Sequence, residues 1–147
     1  MSRPSKDQYY LDIALAVSKR STCLKRHYGC VIVKDDVIVA TGYNGSPRGE
    51  ANCCDIYNAC PRIDVPHNSG NYEGCSSVHA EQNAIIMANR VDLIGATLYL
   101  VCENAEHLEF PYGIHEDKKP EPCPLCMRMI KNAGIKTIKT RSEETCL

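Results

Sequence analysis

The chain has 147 residues, 17 basic and 18 acidic side chains, and a formal net charge of −1. This length suits one compact domain, and we expect a single domain over residues 1–147. A dedicated nucleic-acid binder is not expected, because such proteins carry a basic excess and this chain has none. Aromatic residues make up only 6 % and Trp is absent, which argues further against a platform that stacks single-stranded nucleic acid.

No apolar run approaches the roughly 20 residues that span a bilayer, so no membrane association is expected. The N-terminal sequence MSRPSKDQYY lacks the apolar h-region of a signal peptide. These features predict a cytoplasmic protein. Because disulfides are rare in the cytosol, the ten cysteines are expected to bind metal or to take part in chemistry.

The first third of the chain predicts a helix followed by a hairpin. Ser5 can cap a helix that carries apolar residues at helical spacing and fades by residues 18–21. Two β-branched runs, residues 30–33 and 37–40, are separated by three polar residues and predict a β-hairpin. Residues 41–45 (TGYNG) follow as a Gly-rich turn.

A long polar loop is predicted over residues 46–77, and it holds four of the ten cysteines. Such a loop in a small domain is normally functional or held by something. The rest of the chain predicts a helix over 78–90, a strand over 96–101, a charged loop over 103–121, a helix over 124–133 closed by Gly134, and a strand over 135–139. The order α, ββ, α, β, α, β predicts the α/β class, with helices covering a sheet.

Two fragments carry the residues of a zinc site, each at the start of a predicted helix. His79 begins one helix, and Cys123 and Cys126 begin the other with Cys-x-x-Cys spacing. One His and two Cys supply three ligands, and a catalytic zinc keeps its fourth position for water. Helix N-termini add free N–H groups and a dipole that help to hold thiolate charge. The pattern therefore predicts a catalytic zinc site.

Glu81 lies two residues after His79, near the predicted metal, and is not expected to be a ligand. Its predicted role is a proton shuttle, which takes a proton from a water that zinc acidifies and later protonates the leaving group. A lone Cys-x-x-Cys also fits a structural zinc half-site or a redox pair. Together with His79-Ala80-Glu81 and with Pro122 before the first Cys, the pattern favours the catalytic site.

These fragments, His79-Ala80-Glu81 and Pro122-Cys123-Pro124-Leu125-Cys126, resemble the signature of the zinc-dependent cytidine and deoxycytidylate deaminase superfamily. The resemblance covers most of the chain, from the first helix to the last strand. It implies a three-layer α/β/α sandwich of the cytidine deaminase type, with a mixed sheet of four to five strands. The chain departs from the family pattern in two places: residues 103–121 look inserted, and few residues follow the strand at 135–139.

Within the superfamily, the chain most resembles the deoxycytidylate deaminases. Residues 20–23 (RSTC), 41–47 (TGYNGSP) and 78–85 (VHAEQNAI) carry this likeness. It implies hydrolysis of dCMP to dUMP with release of ammonia, which supplies dUMP for thymidylate synthesis. Zinc deaminases of another cytosine nucleotide or nucleoside, or of tRNA adenosine, remain as alternatives. A zinc-stabilised binding module without activity is the alternative from another class, and Glu81 argues against it.

The substrate contacts have their own candidates. The resemblance implies that Asn44, in the Gly-Tyr-Asn-Gly turn, contacts the sugar; the alternative is a plain turn residue, because Asn tolerates left-handed geometry. The phosphate needs donors, and Lys25 and Arg26 follow the first helix beside the hydroxyls of Ser21 and Thr22. A solvated surface pair is the alternative for the two basic residues.

A second, structural zinc is also predicted. Relatives with similar Ser-Thr-Cys and Asn-Cys-Cys-Asp stretches imply Cys23 and Cys53 as ligands, His67 and Cys75 are the further candidates, and Cys60 is in reserve. Zinc would tie the long polar loop, which has little apolar content, to the end of the first helix. The alternative is a set of buried, inert thiols.

The resemblance also implies regulation. It implies a homo-oligomer, often a hexamer, that dCTP activates and dTTP inhibits, with Mg²⁺ as a companion of the triphosphate. In relatives the Gly-Tyr-Asn-Gly-Ser-Pro turn lies in the stretch that carries effector contacts.

Overall fold

The computed structural model describes residues 2–66, 69–105 and 121–147. Its helices are α1 (Lys6–Ser18), α2 (Cys53–Ile56), α3 (Ala80–Met87), α4 (Arg90–Leu93) and α5 (Pro124–Ala133). Its strands are β1 (Arg26–Lys34), β2 (Val37–Tyr43), β3 (Thr97–Asn104), β4 (Thr137–Lys139) and β5 (Glu144–Cys146). Within the described ranges, no helix has the length and apolar character needed to cross a membrane.

The five strands form one mixed sheet in the order β2-β1-β3-β4-β5. β1 pairs antiparallel with β2 and with β3, and β4 pairs antiparallel with β5. The pair β3 and β4 is parallel, because α5 lies between them in the chain and provides the long connection that parallel strands need. The predicted mixed sheet is confirmed, and it has five strands.

Helices cover both faces of the sheet, so β1 and β3 carry buried side chains on both sides. On one face, the buried residues are Tyr10, Leu11 and Ala14 of α1 with Val31, Val33, Tyr99 and Val101 of the sheet. On the other face, the buried residues include Ala80 and Ala84 of α3 and Ile130 of α5 with Cys30, Ile32, Leu98 and Leu100 of the sheet. This arrangement confirms the three-layer α/β/α sandwich.

Gly42 of β2 allows α3 to approach the sheet closely. A Cβ atom at this position would lie 2.3 Å from the backbone oxygen of Ala80 and 2.5 Å from the backbone nitrogen of Ala84. Only a residue without a side chain fits there. The first turn of α3 therefore rests directly on β2, and this contact places the residues at the start of α3.

The structure confirms two predicted helices closely. The Ser5 hydroxyl accepts a hydrogen bond from the Gln8 backbone N–H at 3.1 Å, and α1 ends at Ser18. The helix predicted over 124–133 has those bounds, and Gly134 closes it in the left-handed conformation with φ 86°. In both helices, the capping residue named from the sequence sets the boundary.

Other predicted boundaries need correction. The single helix predicted over 78–90 is wrong in extent, because Ala88 and Asn89 adopt extended backbone and separate α3 from α4. The polar loop at 46–77 contains the short helix α2 and a 3₁₀ turn, Tyr72–Gly74. β3 reaches Asn104, so the predicted loop over 103–121 begins too early, and residues 106–120 of that loop lie outside the described part of the chain.

Candidate active site and metal centre

Two helix N-termini meet at one end of the sandwich. His79 is the N-cap of α3, and Cys123 is the N-cap of α5 with Pro124 in its first turn. The Cys126 N–H donates to the Cys123 sulfur at 3.4 Å, while the side chain of Gln82 accepts from the His79 N–H at 2.9 Å. Helix starts thus supply both the three side chains and nearby N–H donors.

The three side chains have the spacing of a metal site. His79 Nδ1 lies 3.5 Å from Cys123 Sγ and 3.2 Å from Cys126 Sγ, and all three atoms lie within 4.8 Å of one another. Tetrahedral zinc with bonds of about 2.3 Å to sulfur and about 2.0 Å to nitrogen sets such N and S atoms about 3.5 Å apart. The donor set therefore fits zinc. Across the described ranges, His79, Cys123 and Cys126 form the one group of three candidate ligands whose ligand atoms all lie within 4.8 Å of one another.

The two thiols and the imidazole are electrostatically coupled. Hydrogen bonds from Cys126 and His79 lower the pKa of Cys123 to about 3. The pKa of Cys126 is raised, because its proton is held by Cys123 and burial opposes a second charge. The hydrogen bond to Cys123 raises the pKa of His79. One thiolate and two protonated groups thus share a small volume, which suits a dication that displaces those protons.

Glu81 lies in the first turn of α3 and lines the same cleft, with 4 % of its surface exposed. Burial raises the pKa of its carboxyl, and hydrogen bonding to Cys126 and the charge of His79 oppose the rise. A buried carboxyl with a raised pKa beside a candidate metal site is suited to taking up and releasing a proton.

Asn44 is buried at the end of β2 and is held by a dense set of hydrogen bonds. Its side-chain oxygen accepts from the Ser21 hydroxyl at 2.7 Å and from the Tyr28 N–H at 2.8 Å. Its Nδ2 donates to the Arg26 carbonyl at 2.9 Å. Among the described residues, this leaves one amide hydrogen without a partner in a side chain whose orientation is fixed, and Asn44 lines the cleft.

Arg26 is a basic group buried in the wall of this cleft. Only 7 % of its surface is exposed, and within the described ranges its Nε has no hydrogen-bond partner. The Thr22 hydroxyl is likewise buried and unpaired in those ranges. Because an unpaired buried donor costs about 1–3 kcal/mol, Arg26 is suited to receiving a polar ligand in the cleft. Thr22 is not among the described residues that line the cleft.

Lys25 also lines the cleft, and it holds the polar loop. Its Nζ donates to the carbonyl oxygens of Arg62 at 2.8 Å and Val65 at 2.7 Å. Burial lowers the pKa of this ammonium group. Two of its three hydrogens are therefore bound to the loop, and the third is the one that a ligand could use.

A second cavity, beside the first, is lined by four cysteines of the predicted structural site: Cys23, Cys53, Cys60 and Cys75. Backbone N–H groups donate to three of these sulfurs: Lys25 and Arg26 to Cys23 at 3.4 and 3.5 Å, Arg62 to Cys60 at 3.4 Å, and Ser77 to Cys75 at 3.4 Å. In each of the three, the residue two positions along the chain donates. The remaining predicted ligand, His67, lies outside the described residues.

Three further residues line the cleft without any motif that marks them in the sequence: Tyr28, Arg62 and Tyr72. For Tyr28, the pairing of Gly29 with Tyr43 places it opposite Asn44, but this register depends on a bulge between Ile32 and Val33 that the sequence pattern does not mark. Arg62 and Tyr72 lie in the polar loop, where no periodicity or spacing marks an inward side chain. Only the folded loop reveals them.

Comparison with known proteins gives consistent results. The family described as the cytidine and deoxycytidylate deaminase zinc-binding region matches residues 4–141. A deoxycytidylate deaminase of Mycobacterium phage D29 is 40 % identical over 144 residues, which cover 94 % of this chain and 95 % of the phage protein. A deoxycytidylate deaminase of Schizosaccharomyces pombe is 36 % identical over 92 % of this chain, and the match spans 37 % of the yeast protein.

A solved structure shares the fold. The dCMP deaminase of the cyanophage S-TIM5, in its apo form, is similar with a TM-score of 0.60 and 26 % identity over 95 % of this chain and 85 % of that one. With the ligand set, the buried Glu81 and the relatives in agreement, the chain is an enzyme of the deaminase class. It belongs to the cytidine and deoxycytidylate deaminase family with the zinc-binding region.

Proposed function

We propose that this chain hydrolyses dCMP to dUMP and ammonia, and so supplies dUMP for thymidylate synthesis. The observation that carries the proposal is the ligand set His79, Cys123 and Cys126 with the buried Glu81 in one cleft. The names of the phage and yeast relatives support the choice of substrate.

The reaction is an exchange of an amino group for oxygen, and Glu81 moves the protons. His79, Cys123 and Cys126 would hold zinc, which when bound would lower the pKa of a water molecule toward about 7. Glu81 would accept a proton from the attacking water molecule and pass it to N3 of cytosine as the water oxygen bonds to C4. Glu81 then carries the proton of the added hydroxyl group to the amine, which leaves as ammonia while C4 becomes a carbonyl.

Asn44 and Arg26 are the proposed substrate contacts. The fixed side chain of Asn44 offers its remaining N–H to a sugar hydroxyl. Arg26 offers its unpaired Nε to the phosphate. The third hydrogen of Lys25 is a further phosphate donor, because Lys25 also lines the cleft, while Ser21 acts by holding Asn44.

Ammonia release across a panel of dCMP, CMP, cytidine, dCTP and tRNA tests the substrate. We expect the highest kcat/KM for dCMP. Arg26→Gln should raise KM for dCMP at least tenfold, with little effect on KM for deoxycytidine, which has no phosphate. Arg128→Gln, an exposed change on α5, should leave KM for both substrates unchanged. Faster turnover of cytidine or tRNA than of dCMP would show that the proposed substrate is wrong.

We also propose a second, structural zinc in the cavity of Cys23, Cys53, Cys60 and Cys75. Backbone N–H groups that point at sulfur favour the thiolate, which is the form that binds metal. Four thiolates complete a closed tetrahedral site, and the sulfurs must draw together around the ion, since zinc–sulfur bonds are about 2.3 Å long. Cys60 lines this cavity, so we propose it as the fourth ligand in place of His67, which remains the alternative.

Metal analysis of the purified protein tests the second site. We expect two zinc ions per chain, one ion in Cys60→Ser with the catalytic ion retained, and two in Cys54→Ser, because Cys54 is exposed beside the cluster. One zinc per chain in fully active wild type would rule the second site out.

A homo-oligomer is proposed as well, with dCTP and dTTP, accompanied by Mg²⁺, as opposing effectors. Ile86, Met87, Val91 and Ile94 on and beside α3 and α4 are exposed, and a grouped apolar surface of this kind suits contact with a second copy. Light scattering and kinetics with each triphosphate test this. A monomer with hyperbolic kinetics that neither triphosphate changes would disprove it.

A further inference from the structure

Tyr72 opens the 3₁₀ turn Tyr72–Gly74 and borders the metal ligands. Its ring meets the His79 ring edge-on, with centroids 5.5 Å apart and planes at 71°. Tyr72 and Cys123 line the same cleft, and the Cys123 sulfur is 3.5 Å from His79 Nδ1. Tyr72 is therefore adjacent to two of the three ligand side chains.

The Tyr72 hydroxyl is shielded from solvent and has no hydrogen-bond partner in the described part of the chain. A buried hydroxyl left unpaired costs about 1–3 kcal/mol, so a partner is expected in the complete site. A phenol ordinarily titrates only at about pH 10, so the Tyr72 hydroxyl is a donor at neutral pH. The Cys123 side chain lies close enough to interact with the phenol, and its sulfur already accepts an N–H from Cys126 at 3.4 Å.

The loop holds Tyr72 in this position. The guanidinium carbon of Arg62 lies over the Tyr72 ring, 5.7 Å from its centroid. The same guanidinium donates to the carbonyl oxygens of Gly70, at 2.8 Å, and Asn71. Lys25 in turn donates to the Arg62 carbonyl. These contacts connect the start of β1, through Arg62, to Tyr72 beside the metal site. They hold the Tyr72 ring in one place, whereas a tyrosine on a free surface loop would have no such contacts.

We propose that Tyr72 is a positioning residue of the metal site, whose hydroxyl donates a hydrogen bond to the Cys123 thiolate while its ring fixes the His79 imidazole. The donor stabilises the thiolate that metal requires and draws charge from the sulfur. Outer partners of this kind are typically worth about 10–100-fold in metal affinity or activity. The inference rests on the zinc site of the proposed function.

Two variants separate the hydroxyl from the ring. Tyr72→Phe keeps the ring and removes the donor, and Tyr72→Leu removes both. Cadmium NMR of the cadmium-substituted protein distinguishes a His-Cys-Cys site from an all-cysteine site, and competition with a chelator gives the zinc affinity of the His79 site. We expect Tyr72→Phe to shift the His-Cys-Cys cadmium signal, to leave any all-cysteine signal in place, and to weaken zinc binding about tenfold. Tyr72→Leu should weaken it further.

Tyr9→Phe is the matched control, because Tyr9 is an exposed tyrosine on α1, and thermal melting checks that each variant is folded. A folded Tyr72→Phe protein with an unchanged cadmium signal and unchanged zinc affinity would overturn the inference while leaving the proposed function intact. A wild-type protein that shows no His-Cys-Cys cadmium signal would instead overturn the zinc site itself, and this inference with it.

Discussion

At the scale of single residues, burial gives Glu81 its chemical role. The carboxyl is 4 % exposed, and burial raises its pKa, so it can hold a proton that a solvent-exposed carboxyl would lose. Glu81→Gln keeps the shape of the side chain and removes the proton exchange. We expect kcat for dCMP to fall by about 10²–10⁴-fold, with zinc content and melting temperature unchanged.

Glu50→Gln serves as the control for this substitution, because Glu50 is exposed and lies outside the proposed site. Its activity should equal that of the wild type. Retention of activity within about tenfold of wild type in zinc-loaded Glu81→Gln would exclude the proton-shuttle role.

A second residue, Asp7, makes stability depend on pH. Its carboxylate accepts from Lys139 Nζ at 3.0 Å and from the Tyr99 hydroxyl at 2.7 Å, and the bond to Lys139 is the main cause that lowers the pKa of Asp7. A carboxyl with a lowered folded-state pKa stabilises the fold above its unfolded value of about 3.9 and loses this contribution as pH falls through the folded pKa.

Asp7→Asn tests this contribution, because an amide oxygen still accepts from Tyr99 while the charge is gone. The Asp7 side chain is 49 % exposed, so solvent screening limits the loss to about 0.2–1 kcal/mol at pH 7. Urea unfolding across a range of pH should show this difference shrinking toward zero in acid. A difference that stays constant down to pH 2 would mean that charge is not its cause.

The residues of the site differ in how far the sequence predicts them. His79, Glu81, Cys123 and Cys126 lie in two short fragments whose local spacing already fixes which side chains can meet. Tyr72 has no such signal, because its neighbours depend on how a long polar loop folds. Contacts that form between distant parts of the chain are those that a local pattern cannot reveal.

At the scale of elements, the fit of α3 against β2 controls the position of the site. Gly42 faces the backbone of Ala80, which stands between His79 and Glu81 in the chain. Gly42→Ala would force α3 away from the sheet. We expect a loss of about 1–3 kcal/mol in unfolding free energy, as for overpacked cores, together with at least a tenfold loss of kcat.

Gly95→Ala is the comparison for this change. A Cβ atom at Gly95 meets nothing within 4 Å, but its φ of +80° strains any other residue, at a cost of about 1–2 kcal/mol. We therefore expect lower stability with normal kcat in Gly95→Ala. If Gly42→Ala were as active as Gly95→Ala, the close approach of α3 would have no functional importance.

Element boundaries follow the strength of their local signals. Ser5 caps the start of α1 and Gly134 caps the end of α5, and the sequence predicts both of these boundaries. The helix pattern at 78–90 continues through Ala88, a good helix former, yet the backbone opens there and Leu93 of the next turn is buried in the core. Tertiary packing overrides helix propensity at this position.

At the scale of the whole molecule, the five-stranded sheet brings two distant helix starts together. The parallel pair β3 and β4 requires the crossover through α5, and this crossover carries Cys123 and Cys126 to the start of α3. The fold class followed from the order of elements. β5, a three-residue strand of exposed residues, carries too little apolar pattern to be predicted from sequence.

The most direct test of the central claim is dCMP turnover by one protein sample with its metal removed and then restored. Conversion of dCMP to dUMP should be high in the zinc-loaded protein and fall to background after a chelator removes zinc from the His79, Cys123 and Cys126 site. When zinc is added back, the recovered activity should be proportional to the amount of zinc bound. Undiminished turnover by the metal-free protein, or no dUMP from the zinc-loaded protein, would contradict the account.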